Sequence, residues 1–106
     1  MSYVMCTVTN NLVGTKLTPF KVYSVFLENQ GHYILSGGIS PQPKEFFQEL
    51  PEVWSPEKPV IGDIITIINE DGKPRHTSRI QGFRWIEENK YVIYTVNSVY
   101  VVTYIG

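Results

Sequence analysis

Short runs of β-branched and aromatic residues, separated by turn signals, recur along almost the whole chain. The clearest runs cover residues 3–9, 20–27, 32–35, 63–68, 75–80, 83–86 and 91–105. Such residues suit the pleated, half-buried surface of a sheet, and the intervening Asn29-Gln30-Gly31 and residues 69–72 are typical of hairpin turns. The pattern predicts a mainly β protein built from a small antiparallel barrel or a rolled sheet.

The last run, residues 91–105, carries almost no charge after Lys90. It is either one long bent strand or a hairpin that turns at Asn97-Ser98. As one strand it has two apolar faces, of which one must be core and the other must be covered by the insertion described next, a second copy or a partner. Because a free edge of this kind needs pairing, we expect a symmetric homodimer.

The segment 36–62 differs from the rest in its proline, glycine and acidic residues. Within it, residues 43–50 fit a short helix with Phe46, Phe47 and Leu50 on one face, since proline is tolerated in a first turn. Such a helix is too short to be stable alone and must pack on the sheet. The length favours one domain, 1–106, with an insertion at about 36–62 that carries this helix.

A few short stretches resemble the pattern of small SH3-like β-barrel proteins that are common among bacteriophage and bacterial accessory genes. They are Cys6, Leu17-Thr18, residues 21–25, residues 67–72 and Ser78-Arg79. The resemblance covers the N-terminal third and residues 63–88, and Phe20 stands where the pattern has a glycine before the lysine. It implies an SH3-like barrel but says little about function, because this fold serves many.

Most catalytic classes find no support in the sequence. The chain has one cysteine, Cys6, in an apolar run, and its two histidines, His32 and His76, lack metal-ligand spacing. Gly37-Gly38 lacks the Lys-Ser/Thr that follows in a phosphate-binding loop, and no nucleophile motif is present. We therefore expect no enzyme, no metal and no cofactor.

Charge and hydropathy limit the classes of partner that the sequence favours. The formal net charge is −1, which disfavours generic nucleic-acid binding. No run reaches the roughly 18–20 apolar residues of a membrane span, and no signal peptide is visible. The expected location is the cytoplasm, which would be that of the host if the protein is phage-encoded.

The best candidate for a ligand-binding site is a basic stretch that contains no acidic residue. It contains Arg75, His76, Thr77, Ser78 and Arg79, with Arg84 further on. In a strand, Arg75, Thr77 and Arg79 share one face, and two guanidiniums flanking a hydroxyl can hold a phosphate or a carboxylate. A solvated strand face is the simpler interpretation, since exposed arginine is the norm.

Three aromatic side chains complete the candidate binding residues. Tyr94 and Tyr100 belong to the apolar C-terminal run, where ordinary sheet packing competes with base stacking or a partner contact. Trp54 lies in an acidic, proline-rich stretch and is either a plug for one end of a barrel or an exposed anchor.

These observations predict a non-catalytic binding protein, of the phage-type accessory or inhibitor kind, that acts on a host protein. The alternative is a protein that binds or sequesters a small phosphate-bearing ligand such as a nucleotide, with Arg75 and Arg79 on the phosphates and an aromatic ring on the base.

Overall fold

The computed structural model describes residues 2–8, 17–37 and 40–106. Strands make up 53% of these residues and helix 3%, which confirms the prediction of a mainly β fold. The chain divides into two compact units, Met1–Leu50 and Pro51–Gly106, and each has its own sheet. The prediction of a single domain stays a prediction, and residue 9, at the end of the first predicted strand, lies outside the described residues.

The N-terminal unit is a five-stranded antiparallel sheet in the order β4-β3-β2-β1-β5. Its strands are β1 Tyr3–Cys6, β2 Val22–Glu28, β3 His32–Leu35, β4 Gln42–Pro43 and β5 Phe47–Glu49. The turn predicted at Asn29 is present, because the Asn29 side chain accepts the Gly31 and His32 backbone N–H groups. The core of this unit is Val4, Cys6, Leu17, Tyr23, Val25, Tyr33 and Leu35.

The two edge strands of this sheet are neighbours in sequence. β4 and β5 are joined by a single 3-10 turn, Lys44–Phe46, which spans about 6 Å at a rise of about 2 Å per residue. In a flat sheet the two edges would lie four strand spacings, about 19 Å, apart. The sheet of this unit therefore has to roll, and a bulge in β2 between Val25 and Leu27 helps it to bend.

The helix predicted for residues 43–50 is wrong. Phe47 is extended and pairs with Cys6, so residues 47–49 form a strand against β1. Eight residues gain little from a helix in isolation, whereas pairing with β1 satisfies the backbone and packs the Phe47 ring edge-on against Tyr23 and Tyr33. The segment predicted as an insertion thus supplies strands to both sheets.

Phe20 occupies the position at which the SH3-like pattern has glycine. Its φ of 63° lies in the left-handed region, which costs an ordinary residue about 1–2 kcal/mol. The turn is held by backbone bonds from Phe20 to Cys6 and from Lys21 to Thr18, and the Thr18 N–H donates to the Tyr23 hydroxyl at 2.7 Å. The surrounding hydrogen bonds thus fix a conformation that glycine would adopt without strain.

We expect Phe20→Gly to raise the free energy of unfolding by about 0.5–1 kcal/mol, because relief of strain exceeds the entropy that glycine adds to the unfolded chain. Phe20→Ala is the control, since it removes the same ring and keeps the strain. Urea denaturation of both variants measures the difference. A Phe20→Gly protein less stable than Phe20→Ala would show that the turn is not strained.

The C-terminal unit is a six-stranded sheet in the order β8-β7-β6-β11-β10-β9. Its strands are β6 Glu52–Ser55, β7 Thr66–Ile68, β8 Pro74–His76, β9 Ile80–Glu87, β10 Lys90–Thr95 and β11 Val99–Tyr104. All neighbours are antiparallel except β6 and β11, which are parallel. The core on one face of the sheet is Val53, Ile65, Ile67, Ile80, Tyr91, Ile93 and Val102.

The C-terminal run is a hairpin, β10–β11, that turns at residues 96–98 around the Thr95 and Ser98 contacts. Both of its strands lie inside the sheet, between β6 and β9. The free edge from which the homodimer was predicted is therefore paired within this unit. The homodimer stays a prediction, but it needs another surface.

Neither sheet is a closed barrel over the described ranges. In these same ranges, no helix has the length and apolar composition that crossing a membrane requires.

Candidate binding surface

A loop, residues 56–65, packs over the core-facing side of the C-terminal sheet. It is held by a partly buried polar network in which the Ser55 hydroxyl donates to the Thr66 carbonyl at 2.6 Å and accepts the Glu57 N–H at 3.1 Å. The Tyr91 hydroxyl donates to the Glu57 carbonyl at 2.7 Å. We call residues 56–65 the covering loop, since these bonds fix its position over Tyr91.

Beside the covering loop lies a group of aromatic rings. The Trp85 ring packs edge-on against Tyr91 and Tyr104, at 4.9 and 6.2 Å between centroids, and the Lys58 ammonium lies over the Tyr104 ring. Phe83 and Trp85 oppose Ile93 and Tyr91 on β10, so they share this face of the sheet. Each remains 39% exposed, which leaves large apolar area in water next to a rigid support.

The tip of the covering loop is also apolar and exposed. Val60, Ile61 and Ile64 are each at least half exposed. Gly62, at φ 90°, closes a turn in which the Asp63 N–H donates to the Val60 carbonyl, and a side chain at this φ would be strained. The Gly62 N–H donates to the Ile80 carbonyl, which places the turn beside the start of β9.

Arg79 holds this turn in place. Its guanidinium donates to the Gly62 carbonyl at 2.7 Å, and the Ile80 N–H donates to the Asp63 carbonyl at 2.9 Å. Five large apolar side chains thus stand exposed along the covering loop and β9. We call Val60, Ile61, Ile64, Phe83 and Trp85 the apolar surface.

The predicted basic stretch is split between different environments. Arg75 pairs with Asp71 at 3.3 Å, whereas Arg79 binds the Gly62 carbonyl. Thr77 is buried, and its hydroxyl accepts the Ile65 N–H. The two guanidiniums and the hydroxyl therefore have separate structural partners.

The remaining residues of the basic stretch lie in local contacts. The His76 Nδ1 is 3.4 Å from the Thr66 hydroxyl across the β7–β8 pair, and the Ser78 hydroxyl accepts the Asn97 N–H. Arg84 lies on β9, at the opposite edge of the sheet from Arg75 and about 24 Å away over five strand spacings. Arg84 and Arg75 are not brought together.

The predicted aromatic residues are also separated. Tyr100 opposes Ile93 and packs on the core, while its neighbour across the hairpin, Tyr94, opposes Val99 on the other face. Burial raises the pKa of Tyr94, and the nearby Arg84 charge counteracts this. Trp54 is 37% exposed on β6, opposite Ile68 and Thr103, so it belongs to a strand and not to a loop plug.

An acidic cavity of about 310 Å³ lies near Arg75. It is lined by Pro51, Glu52, Asn69, Glu70 and Asp71. The Lys73 backbone N–H lowers the pKa of the Asp71 carboxyl, and the Arg75 side chain adds to this effect. The acidic side chains at this end of the sheet oppose the binding of phosphate.

Tyr91 gives the covering loop a dependence on pH. Burial, with a smaller contribution from the Glu57 charge, raises the pKa of Tyr91 from 10.0 to about 12, although the nearby Ser55 hydroxyl acts in the other direction. The folded state holds this proton more tightly than the unfolded state, so the stabilisation is complete below pH 10 and is lost as the pH rises towards 12.

We expect the urea midpoint of the protein to fall between pH 10 and pH 12, and to fall less in Tyr91→Phe, which has no phenol to ionise at this position. Urea titrations of both proteins across this window make the comparison. Burial also raises the pKa of Tyr33 and Tyr94. If the urea midpoint falls equally in both proteins, the pH dependence comes from those two residues and not from Tyr91.

Among the residues that the structure describes, no group of three or more His, Cys, Asp or Glu side chains is placed to hold a metal ion. None of the five residues of the apolar surface is among the binding residues predicted from the sequence. The alternation of Phe83 and Trp85 around Arg84 was a usable signal, because it places both rings on one face of a strand. Comparison with protein-family models, with curated proteins and with solved structures found no match for this chain.

Proposed function

We propose that this chain is a non-catalytic binding protein that holds a partner protein on its apolar surface. One observation carries the proposal: five large apolar side chains are exposed on two neighbouring segments, the covering loop and β9. A soluble domain rarely leaves such side chains grouped in water without a partner to cover them. The phage-type accessory or inhibitor role, acting on a host protein in the cytoplasm, is the setting that we propose for this activity.

The rigidity of the surface supports the same function. The Arg79 guanidinium and the Ile80 backbone fix the Val60–Asp63 turn, and Trp85 rests on Tyr91 and Tyr104. Side chains that are ordered before binding lose little entropy when a partner arrives. Tryptophan on a rigid support is also a common anchor of protein interfaces.

The rolled N-terminal unit supports a more specific fold proposal. We propose that it is an open SH3-like roll, since its strand order is β4-β3-β2-β1-β5 and a 3-10 turn joins the two edge strands. The nucleotide alternative has weaker support, because Arg75 and Arg79 are each bound within the chain.

The test is a comparative pull-down from bacterial lysate with three tagged proteins: the unmodified chain, the double variant Ile61→Ser/Phe83→Ser, and the control Phe26→Ser. Phe26 is 63% exposed in the N-terminal unit, so the control removes a similar ring from another surface. Circular dichroism and urea denaturation check that both variants remain folded.

We expect the unmodified chain and Phe26→Ser to recover the same protein, and the double variant to recover about tenfold less or lower, since loss of an interface anchor costs about 2 kcal/mol or more. If the unmodified chain and both variants recover the same protein equally well, the partner does not bind the apolar surface and the proposal is wrong. A thermal-shift screen with nucleotides addresses the alternative, because a bound ligand stabilises the folded state.

A further inference from the structure

The C-terminal sheet has two edges, and they differ in length and chemistry. β8 has three residues and begins with Pro74, which cannot donate a ladder hydrogen bond. β9 has eight residues, Ile80–Glu87, and over the described ranges it pairs only with β10. The covering loop binds the backbone of Ile80. In residues 81–86, the alternate backbone groups that point away from β10 form an edge to which another strand can add.

From this edge we propose that a second copy of the chain pairs with β9, antiparallel and about a two-fold axis at Trp85. The symmetry of such a dimer is isologous, so each contact between two different residues occurs twice. The two six-stranded sheets would then continue as one sheet across the axis.

The charges on β9 favour this register over those with an axis at Arg84 or Phe83. An axis at Arg84 opposes two guanidiniums, and an axis at Phe83 leaves Arg84 level with Gly82 of the second copy. An axis at Trp85 places Arg84 level with Ile86 of the second copy, and the bulge at Ile86 brings Glu87 to the same level. Among the three, only the axis at Trp85 joins opposite charges.

The bulge in β9 brings these charges to the same face. Arg84 opposes Val92, and Glu87 opposes Lys90, with a register shift between Lys90 and Tyr91. Val92 and Lys90 are two residues apart on β10, so Arg84 and Glu87 share one face of the sheet. Glu87 already lies 3.8 Å from Lys90, but a carboxylate can accept from a second cation. Arg84 forms no ion pair among the described residues.

On the other face the two Trp85 side chains would stand next to each other. This extends the aromatic part of the apolar surface across the axis, and this consequence rests on the proposed function, whereas the pairing of the strands does not. The bulges near Gln81 and Ile86 limit the regular ladder to a few residues, so the dimer should be of modest affinity and depend on concentration.

Sedimentation velocity of the full chain and its charge variants tests the proposal. We expect the unmodified protein to move from monomer to dimer as its concentration rises. Arg84→Glu places like charges against Glu87, and Glu87→Arg places them against Arg84, so each variant alone should have a dimer Kd raised about tenfold or more.

The decisive arm is an equimolar mixture of Arg84→Glu with Glu87→Arg. In the mixed pair both contacts join opposite charges, so dimers should return to the level of the unmodified protein, which no contact within one chain explains. Arg75→Glu, the same charge reversal on β8, is the control and should dimerise normally. An unmodified protein that stays monomeric, or a mixture that stays monomeric, overturns the proposal whether or not the pull-down finds a partner.

Discussion

Replacement of Tyr91 by alanine is expected to lower the free energy of unfolding of the C-terminal unit by about 4 kcal/mol, in the range for deletion of a buried aromatic side chain. Tyr91 is fully buried on β10, between β11 and the edge strand β9. Its ring supports Trp85, and its hydroxyl binds the Glu57 carbonyl of the covering loop. The substitution therefore removes core packing, the support of the apolar surface and one loop contact.

Tyr91→Phe separates these contributions. It keeps the ring and removes only the hydroxyl, so it should cost about 1 kcal/mol. Urea denaturation followed by tryptophan fluorescence reports on this unit, because both tryptophans of the chain, Trp54 and Trp85, lie within it. Equal costs for the two variants would mean that the buried ring contributes nothing beyond its hydrogen bond.

Local chemistry explains the parts of the fold that the sequence predicted. The turn at residues 69–72 is closed by the Gly72 N–H, which donates to the Asn69 backbone carbonyl, and it needs a glycine that adopts φ 76°. The break at Asn97-Ser98 is of the same kind, although the sequence left a long strand open as the alternative. Such turns depend on a few adjacent residues and can be read from them.

Non-local pairing explains the failures. Residues 43–50 have the composition of a short helix, but the partner that makes residues 47–49 a strand is β1, more than 40 residues earlier. The parallel pair β6–β11 joins residues about 50 positions apart, and it places the C-terminal hairpin inside the sheet. The hydrophobic pattern within a segment does not indicate which distant strand it pairs with.

The candidate site depends on the same distant pairings. Phe83 and Trp85 are ordinary strand residues until β9 is known to be an edge and the covering loop is known to end beside Ile80. The basic stretch shows the reverse case. Its alternation suggested two arginines and a threonine on one face, but β8 ends at His76, and Thr77 turns into the core.

The covering loop should also depend on Ser55, and we expect Ser55→Ala to lower the free energy of unfolding of the C-terminal unit by about 2 kcal/mol. The Ser55 side chain is fully buried and is both donor to the Thr66 carbonyl and acceptor from the Glu57 N–H. Alanine fits the space but leaves both backbone groups without this partner, and desolvated groups of this kind are costly.

Ser78→Ala is the matched control, because the Ser78 hydroxyl accepts one bond of 3.3 Å from the exposed Asn97 backbone, and its loss should cost less than about 0.5 kcal/mol. Urea denaturation gives the two costs, and amide exchange locates the effect. Exchange at Glu57 should rise in Ser55→Ala and not in Ser78→Ala, because the Glu57 N–H loses the hydrogen bond that protects it from exchange. Equal costs with unchanged exchange at Glu57 would show that packing alone, without the Ser55 network, holds the covering loop against the sheet.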